Sequence, residues 1–123
     1  MDTDPKYRLK NNIRRLIRLT FTKKEYKKHQ LTFDILGIDH IGFISYIESQ
    51  FIEGMNWNNK KEWEIDHIIP TSIGRNEDDI IKLNHYSNLR PLWKKDNRDK
   101  SDKILEEHKG LLYKLLGEDF VIE

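Results

Sequence analysis

The sequence predicts an α+β fold that is mainly helical, with one two-stranded antiparallel hairpin. Three observations predict it: apolar residues recur at helical spacing in the N-terminal half, two short middle segments have strand composition, and helical periodicity returns near the C-terminus. With 123 residues, of which 37% are hydrophobic, the chain can build one modest core. No repeat or Gly/Ser-rich linker divides the sequence, so we expect one compact unit.

Composition excludes several classes of protein. No apolar run approaches the roughly 20 residues of a membrane span, and the N-terminus lacks the apolar centre of a secretory signal. Cysteine is absent, which excludes disulfides, thiolate zinc sites and cysteine nucleophiles. We therefore expect a cytoplasmic protein with no membrane partner, whose chemistry depends on oxygen and imidazole groups.

The net charge of +1 conceals an asymmetry along the chain. Residues 1–30 carry ten Lys or Arg against three Asp or Glu, whereas the other 93 residues carry twelve against eighteen. A basic segment joined to an acidic body suggests a polyanion partner for the first and a cation site in the second. The alternative for the basic segment is a solvated helix face with no partner.

The first predicted helix begins at Asp4 and Pro5, a capping residue and a first-turn proline. An apolar stripe follows at helical spacing, with a cationic face opposite it. The stripe consists of Leu9, Ile13, Leu16 and Ile17, and the cationic face of Arg8, Lys10, Arg14, Arg15 and Arg18.

Two more helices are predicted before residue 52. Thr22 and Glu25 form a capping-box pattern that opens the second helix, and Gly37 is placed to end it. Asp39 can cap the third. The apolar residues expected to point inward from the third helix are Ile41, Ile44, Ile47 and Phe51.

The middle of the chain predicts a hairpin. Residues 62–69 combine an aromatic and β-branched residues and stop at Pro70, while residues 71–84 are turn-rich and acidic and are expected to be a long loop. Residues 85–92 predict the second strand, and Pro91 favours a sheet edge. A hairpin this small is marginal unless a helix or a metal braces it, which directs attention to its junction with the next helix.

The C-terminal segment is predicted to be helical from about residue 94, with Gly110 as the first breaker and Gly117 as a C-cap. Its predicted apolar face consists of Ile104, Leu105, His108, Leu111, Leu112, Leu115 and Leu116.

Three polar features stand out within these elements. Asp66 and His67 interrupt an isoleucine-rich strand, where an unpaired carboxylate and imidazole would be costly to desolvate. Asn88 lies in the second extended segment, and Asn97 lies in a helix dense with cations. Taken singly, these residues are most simply a satisfied core pair, a turn residue and a surface residue.

Taken together, they resemble the HNH endonuclease family. The matching pattern is Asp66-His67-Ile68-x-Pro70, then Asn88-Leu89-x-x-Leu92, then Asn97-x-x-Lys100. The likeness covers about residues 50–103, including Trp63 and the stretch from Gln50 to Trp57, and is to the HNH proteins of bacteriophages and large DNA viruses. It implies a ββα-metal fold in which two antiparallel strands and a helix hold one divalent cation.

The resemblance also implies a role for each matching residue. Asp66 resembles the carboxylate metal ligand, His67 the general base, and Asn97 the second metal ligand. Asn88 resembles the asparagine that holds the histidine in position through the backbone or the ring, and Lys100 matches a trailing basic residue. On this interpretation residues 46–123 are the nuclease core, and residues 1–45 are a basic helical region that extends DNA binding.

Elementary chemistry favours the same residue types. A histidine with a pKa near 6.5 is partly neutral at pH 7 and can accept a proton from water. One carboxylate and one amide oxygen form a hard, half-open site that suits Mg²⁺ best and Mn²⁺ next, with Zn²⁺ less favoured. Such a cation would stabilise the phosphate and the departing oxygen.

The sequence departs from the family pattern at two places. Many members carry a zinc-binding cysteine pair where this chain has Trp93 and Asp96, so no zinc knuckle is expected and Trp93 should supply packing. Viral relatives often have histidine where this chain has Glu64, which is either an outer contact to the metal or water, or a solvent-facing strand residue. His85 is a further candidate, either for a phosphate contact or for a structural role.

The predicted partner is double-stranded DNA. Phosphate contacts are expected from Arg14, Arg15, Arg18, Lys94, Lys95, Arg98 and Lys100. A monomer would nick, and a double-strand break would need a homodimer or two events. Two alternatives stay open: a non-catalytic DNA-binding module on an HNH scaffold, and a buried polar network that only stabilises the hairpin.

Overall fold

The computed structural model describes residues 4–100 and 102–121. In chain order its helices and strands are α1 (Pro5–Thr22), α2 (Thr32–Leu36), α3 (His40–Ser49), β1 (Trp63–His67), α4 (Glu77–Leu83), β2 (Leu89–Trp93), α5 (Lys94–Lys100) and α6 (Lys109–Leu116). The prediction of a mainly helical α+β fold with a two-stranded antiparallel sheet is confirmed. Within the described ranges no helix has the length and apolar character to span a membrane.

Helix α1 agrees with its prediction. The side chain of Asp4 accepts a hydrogen bond from the main-chain N–H of Lys6, which caps the helix at Pro5. The apolar stripe faces the core, with Leu9, Ile13 and Ile17 at most 1% exposed. The helix therefore packs by its apolar face and leaves the cationic face toward solvent.

The second predicted helix is wrong over most of its length. Thr22 is the last residue of α1 rather than a cap, because its hydroxyl donates to the Leu19 carbonyl 3.2 Å away. The chain then reverses through Glu25, which has a left-handed φ of 62°, and the Tyr26 N–H returns to the Phe21 carbonyl. Within the predicted segment only α2 is helical, and it ends at Gly37 (φ 78°) as predicted.

Helix α3 begins as predicted, with the Asp39 side chain accepting from the Gly42 N–H. Of the four residues expected to point inward, Ile47 is buried and Ile44 and Phe51 are partly buried against the core, but Ile41 is wrong. Ile41 is 74% exposed, while Phe43 and Ile47 are fully buried. Phe43 fills the core position that the sequence pattern gave to Ile41, and the rest of the predicted face is retained.

Strands β1 and β2 pair from Trp63 opposite Trp93 to His67 opposite Leu89. Both strands are shorter than predicted. Residues 86–88 form a single 3₁₀ turn, and the N–H groups of Ile68 and Ile69 bond to Asn88 in that turn instead of continuing the ladder. The hairpin thus ends at a compact polar junction immediately after His67.

The predicted loop at residues 71–84 is wrong, because it contains α4. The Asn76 side chain caps this helix by accepting from the Asp79 N–H, and the first turn holds three acidic residues, Glu77, Asp78 and Asp79. Acidic side chains stabilise the positive end of a helix dipole. The polarity that argued against a strand is a helix-start signal.

The C-terminal helix is interrupted earlier than predicted. Helix α5 has no buried residue of its own and ends at Lys100, Ser101 lies outside the described residues, and regular helix resumes at Lys109. Gly110 lies inside α6, and Leu105 is 46% exposed. Gly117 follows α6 with φ 101°, as its C-cap prediction required.

Two apolar clusters hold the fold together. The larger joins α1, α2, α3 and both strands around Trp63 and Phe43, and Trp93 packs on it. The smaller joins α4 and α6 through Leu83, Leu112 and neighbouring side chains. The larger cluster draws residues from both sides of position 45.

Candidate active site

A cleft of about 650 Å³ opens between the end of α1, strand β1 and helix α5. The residues that line it are Leu16, Thr20, Lys23, Lys24, Glu64, Ile65, Asp66, His67, Pro70, Thr71, Ser72, Asn97, Lys100 and Asp102. Three of the four motif residues, Asp66, His67 and Asn97, are therefore in one cleft. The fourth, Asn88, is fully buried.

Asp66 is a buried carboxylate held by two cations. Its side chain is 5% exposed, and Arg90, which faces it across the hairpin, donates from Nε to Oδ2 at 3.0 Å. Lys100 of α5 places Nζ 3.4 Å from Oδ1. A buried carboxylate left unpaired would be strongly destabilising, so these cations allow a charged group at the base of the cleft.

Asn97 contacts Glu64 rather than Asp66. Its Nδ2 donates to Glu64 Oε1 at 2.7 Å, while Lys100, one helical turn later, also donates to the His67 carbonyl at 3.0 Å. Helix α5 therefore lies along β1 with Asn97 beside Glu64 and Lys100 beside Asp66. Glu64 is half-buried and lines the cleft, and the amide oxygen of Asn97 accepts no hydrogen bond from a described residue.

His67 is oriented by Asn84. The Nε2 atom lies 2.7 Å from Asn84 Oδ1, while the Asn84 amide nitrogen donates to Thr20 Oγ1 and the Ile80 carbonyl. Because the oxygen of Asn84 must accept, Nε2 carries the ring proton. Nδ1 is then the unprotonated nitrogen, and it has no hydrogen-bond partner among the described residues.

The environment of His67 keeps its ring neutral. Burial lowers the pKa of His67 below the ordinary imidazole value, and the hydrogen bond to Asn84 and the charge of Asp66 only partly oppose that effect. Thr20, whose hydroxyl donates to the Ile17 carbonyl at 2.6 Å, anchors the network in α1. A neutral imidazole of fixed tautomer is what a proton acceptor at pH 7 requires.

Asn88 contacts the backbone after β1 and not the His67 ring. Its Oδ1 accepts from the Ile69 N–H at 2.8 Å, and its Nδ2 donates to the Ile69 and Leu83 carbonyls. Its own carbonyl accepts from the Ile68 N–H. Asn88 thus fixes the chain direction immediately beyond His67, which is the backbone form of the role that the resemblance implied.

The second candidate histidine, His85, lies outside the cleft. Its Nδ1 contacts Ser87, where the side chain caps the 3₁₀ turn, and its ring packs on Gly37. A Cβ at Gly37 would stand 2.9 Å from His85 Nε2. Of the two roles left open by the sequence, these contacts favour the structural one.

The predicted phosphate-binding residues are distributed over several surfaces. On α5, only Lys100 of the predicted set lines the cleft. The other three, Lys94, Lys95 and Arg98, are exposed outside it. On α1, Arg15 is exposed, and Arg14 and Arg18 line a separate cavity. The two basic groups therefore face solvent from different elements.

Sequence reasoning missed three residues that line the cleft and one buried residue, Asn84, that lies behind it. Asn84 and Thr20 orient His67, Lys23 lines the cleft, and Lys24 donates to the Ser72 and Gly74 carbonyls and so closes one wall. Asn84 follows the last residue of α4, so its position depends on a helix that the sequence analysis assigned to a loop. The cap and acidic first turn of α4 were the available signal.

The oxygen donors of the cleft suit a hard divalent cation in kind. They include the carboxylates of Glu64 and Asp66 and the free amide oxygen of Asn97, which are ligand types that Mg²⁺ and Mn²⁺ accept. Across residues 4–100 and 102–121, no three His, Cys, Asp or Glu side chains are grouped so as to hold a metal. Any site here therefore depends on Asn97 and on water for further ligands.

Comparison with known proteins finds two relatives of unassigned role. The chain is 36% identical over 119 residues to the uncharacterized protein L426 of Acanthamoeba polyphaga mimivirus, covering 91% of this chain and 52% of that protein. It is 30% identical over 105 residues to the uncharacterized protein L246 of the same virus, covering 79% of this chain and 46% of that protein. No family model and no solved structure matches the sequence. The chain spans about half the length of the curated relatives that it matches, and both are proteins of a giant virus.

Proposed function

We propose that this chain is a metal-dependent HNH endonuclease that hydrolyses phosphodiester bonds of double-stranded DNA. One observation carries the proposal: Asn84 holds His67 with Nδ1 unprotonated and without a hydrogen-bond partner in the described part of the chain, in the same cleft as Asp66 and Asn97. His67 lines the cleft together with the cationic side chains of Lys23 and Lys100.

In the proposed reaction His67 removes a proton from the attacking water through Nδ1. Asn84 and Thr20 keep the ring in the required tautomer and prevent its rotation. Asn88 keeps the adjoining backbone in place. These residues act before any contact with the nucleic acid, because their hydrogen bonds are already formed within the chain.

Asp66, Asn97 and Glu64 would hold the divalent cation, with Mg²⁺ favoured by their hard oxygen atoms. When bound, that cation supplies charge neutralisation for the scissile phosphate and the departing oxygen. Lys100 already contacts Asp66, so a cation at this carboxylate competes with an ammonium group. Lys23 adds a further positive charge at the cleft for the phosphate backbone.

The non-catalytic DNA-binding alternative also has an observation in its favour. Asp66 is already compensated by Arg90 and Lys100 without a metal, as expected for a structural ion cluster. On this alternative the basic surfaces bind DNA and His67 performs no chemistry. For both the nuclease and the binding module, we also propose that the protein is virus-encoded and intracellular. The viral relatives support this.

The test is nicking of supercoiled plasmid with Mg²⁺, with Mn²⁺ and with EDTA. We expect metal-dependent nicking by the wild type and a nicking rate lower by roughly 100-fold or more in His67→Ala. That variant should bind DNA and unfold at the same temperature as the wild type. His85→Ala is the matched histidine control and should nick normally below its melting temperature.

Three outcomes separate the possibilities. Metal-independent nicking, or equal nicking by His67→Ala, would contradict the proposed mechanism. Tight DNA binding by the wild type with no nicking under either metal would favour the binding module. A His67→Ala chain that does not fold would favour the buried polar network.

A further inference from the structure

A second cavity of about 340 Å³ lies between α1 and α2, lined among others by Arg14, Arg18, Lys28, Phe33 and Asp34. We name it the α1–α2 pocket. Lys28 comes from the segment that links the two helices, and Phe33 from α2. The pocket shares no lining residue with the cleft.

The charges of the α1–α2 pocket are not balanced within the described part of the chain. Arg14, Arg18 and Lys28 form no ion pair there, and Asp34, the carboxylate in the lining, is not within salt-bridge distance of any of them. Three cations against one carboxylate leave a net positive pocket. This differs from Asp66 in the cleft, where Arg90 and Lys100 already have a partner.

Two further observations show that the cations are gathered at one place. The Arg14 guanidinium lies 6.0 Å from the centroid of the Phe33 ring, which fixes its position by a cation–π contact. Partial burial, followed by the charges of Arg18 and Arg14, lowers the pKa of Lys28. Like charges held together in a concave site are unfavourable until an anion joins them.

The donor chemistry favours a phosphate group as that anion. Guanidinium groups present planar pairs of N–H donors that match phosphate oxygens, and a lysine ammonium adds a point charge. A cavity of about 340 Å³ lies at the lower end of the usual range for ligand pockets, which is enough for a phosphate with its sugar. A dianionic free phosphate and a backbone phosphodiester share this chemistry.

The position of the pocket favours a polymer as the source of the phosphate. At about 100° per residue, Arg14 and Arg18 lie roughly 160° around α1 from Leu16 and Thr20, which face the cleft. The exposed arc between them carries Arg15. A strand that leaves the cleft can cross this arc and reach the pocket, whereas a single nucleotide cannot occupy both.

We propose that Arg14, Arg18 and Lys28 form a second phosphate site, in which a backbone phosphate of the nucleic acid is held on the far side of α1 from the cleft. The proposal rests on the proposed function only in taking a polynucleotide as the ligand. It assigns unequal roles to the arginines of α1: Arg14 and Arg18 hold the phosphate, and Arg15 lies along the path.

The first experiment measures binding of a 20-base-pair duplex in EDTA, across a range of salt concentrations. We expect Arg18→Gln/Lys28→Gln to weaken Kd about tenfold near 150 mM salt and to reduce the slope of log Kd against log salt by about one. Lys114→Gln is the control, because Lys114 is an exposed lysine that lines neither cavity. Lys28→Gln makes the same single-charge change inside the α1–α2 pocket. Lys114→Gln should change Kd less than twofold.

The second experiment titrates inorganic phosphate into the protein and follows the arginine Nε–Hε signals by NMR. We expect saturable shifts at Arg14 and Arg18 that disappear in Lys28→Gln but persist in Lys114→Gln. Phosphate shifts without any effect of the variants on duplex affinity would overturn the polymer as ligand. The site would be overturned if phosphate caused no shifts and the Arg18→Gln/Lys28→Gln variant bound the duplex as tightly as Lys114→Gln does.

These readouts do not depend on hydrolysis. If the wild type fails to nick DNA but the double variant loses duplex affinity as expected, the second phosphate site stands and the proposed nuclease activity fails. If the wild type nicks DNA and the double variant binds like the wild type, the reverse holds.

Discussion

Asp66 and Asp79 are both buried aspartates paired with an arginine, yet they lie in very different surroundings. Asp79 is 2% exposed and Asp66 is 5% exposed. Asp79 receives all its arginine contacts from Arg75, four residues earlier, through the main-chain N–H, Nε and Nη2. Asp66 receives Arg90 from the opposite strand and Lys100 from a helix 34 residues away.

Asp79 belongs to a local structural ion pair, whereas the charge of Asp66 is held by side chains that only the tertiary fold brings to it. Arg75 and Asp79 complete the start of α4, and that pair does not line the cleft. Asp66 of β1 is paired with Arg90 of β2 and Lys100 of α5, and it lines the cleft beside His67. Burial of a carboxylate alone is therefore a weak sign of function, whereas burial by distant partners at a cleft is the stronger one.

The largest expected difference between the two aspartates is in nicking. Asp66→Asn removes the carboxylate that the proposal gives to the metal, so we expect a loss of roughly 100-fold or more. Asp79→Asn makes the same chemical change outside the cleft and should leave the rate within about threefold. Plasmid nicking under single-turnover conditions measures both, and equal losses in the two variants would remove the distinction.

The network behind His67 should give the next largest effect. Thr20→Val keeps the shape of the side chain but removes the hydroxyl that accepts from Asn84, which leaves that amide less well fixed. We expect nicking to fall about tenfold, by analogy with loss of an orienting partner at other sites, with an unfolding cost of about 1–2 kcal/mol. If Thr20→Val is fully folded and nicks at the wild-type rate, the orientation of His67 does not depend on Thr20.

The local pair should affect stability and its pH dependence. Arg75 holds the pKa of Asp79 below its ordinary value, so the pair stabilises the fold above about pH 3.9, and the contribution disappears as the pH falls through the lower folded-state pKa. We expect Asp79→Asn to lose about 1–2 kcal/mol at pH 7, and less near pH 3. Urea unfolding at the two pH values measures this. A constant difference would contradict the assigned pair.

The smallest effect is expected at an exposed pair on the same helix. Lys82 and Asp78 form a solvent-exposed contact at 2.8 Å with spacing of four residues, and such pairs contribute little. Lys82→Gln should unfold at the wild-type temperature, and thermal unfolding at low and high salt is the measurement. A clear loss of stability would mean that the charge on α4 matters beyond the Arg75–Asp79 pair.

The parts of the fold set by local chemistry were predictable from the sequence. The start of α1 at Asp4, the end of α2 at Gly37 and the pairing of the two strands followed from caps, glycine conformation and composition. The helix expected from Thr22 failed because the same Thr-x-x-Glu pattern can also close a preceding helix, and only the tertiary chain reversal decides between them.

The candidate site was predictable only in part. Asp66 and His67 stand out because polar residues interrupt an apolar strand. The orientation of His67 depends on Asn84 and on Thr20, which is 64 residues from Asn84 in the chain, and no local pattern links them. Likewise, the pairing of Asn97 with Glu64 instead of Asp66 depends on how far α5 lies along β1.

Chemical rescue of a His67→Gly variant tests most directly whether His67 is the proton acceptor. We expect this variant to fold and bind DNA but to nick at least about 100-fold more slowly than the wild type with Mg²⁺, and we expect added imidazole to restore part of the rate. Wild-type nicking by His67→Gly without imidazole would contradict the assignment of His67 as the proton acceptor.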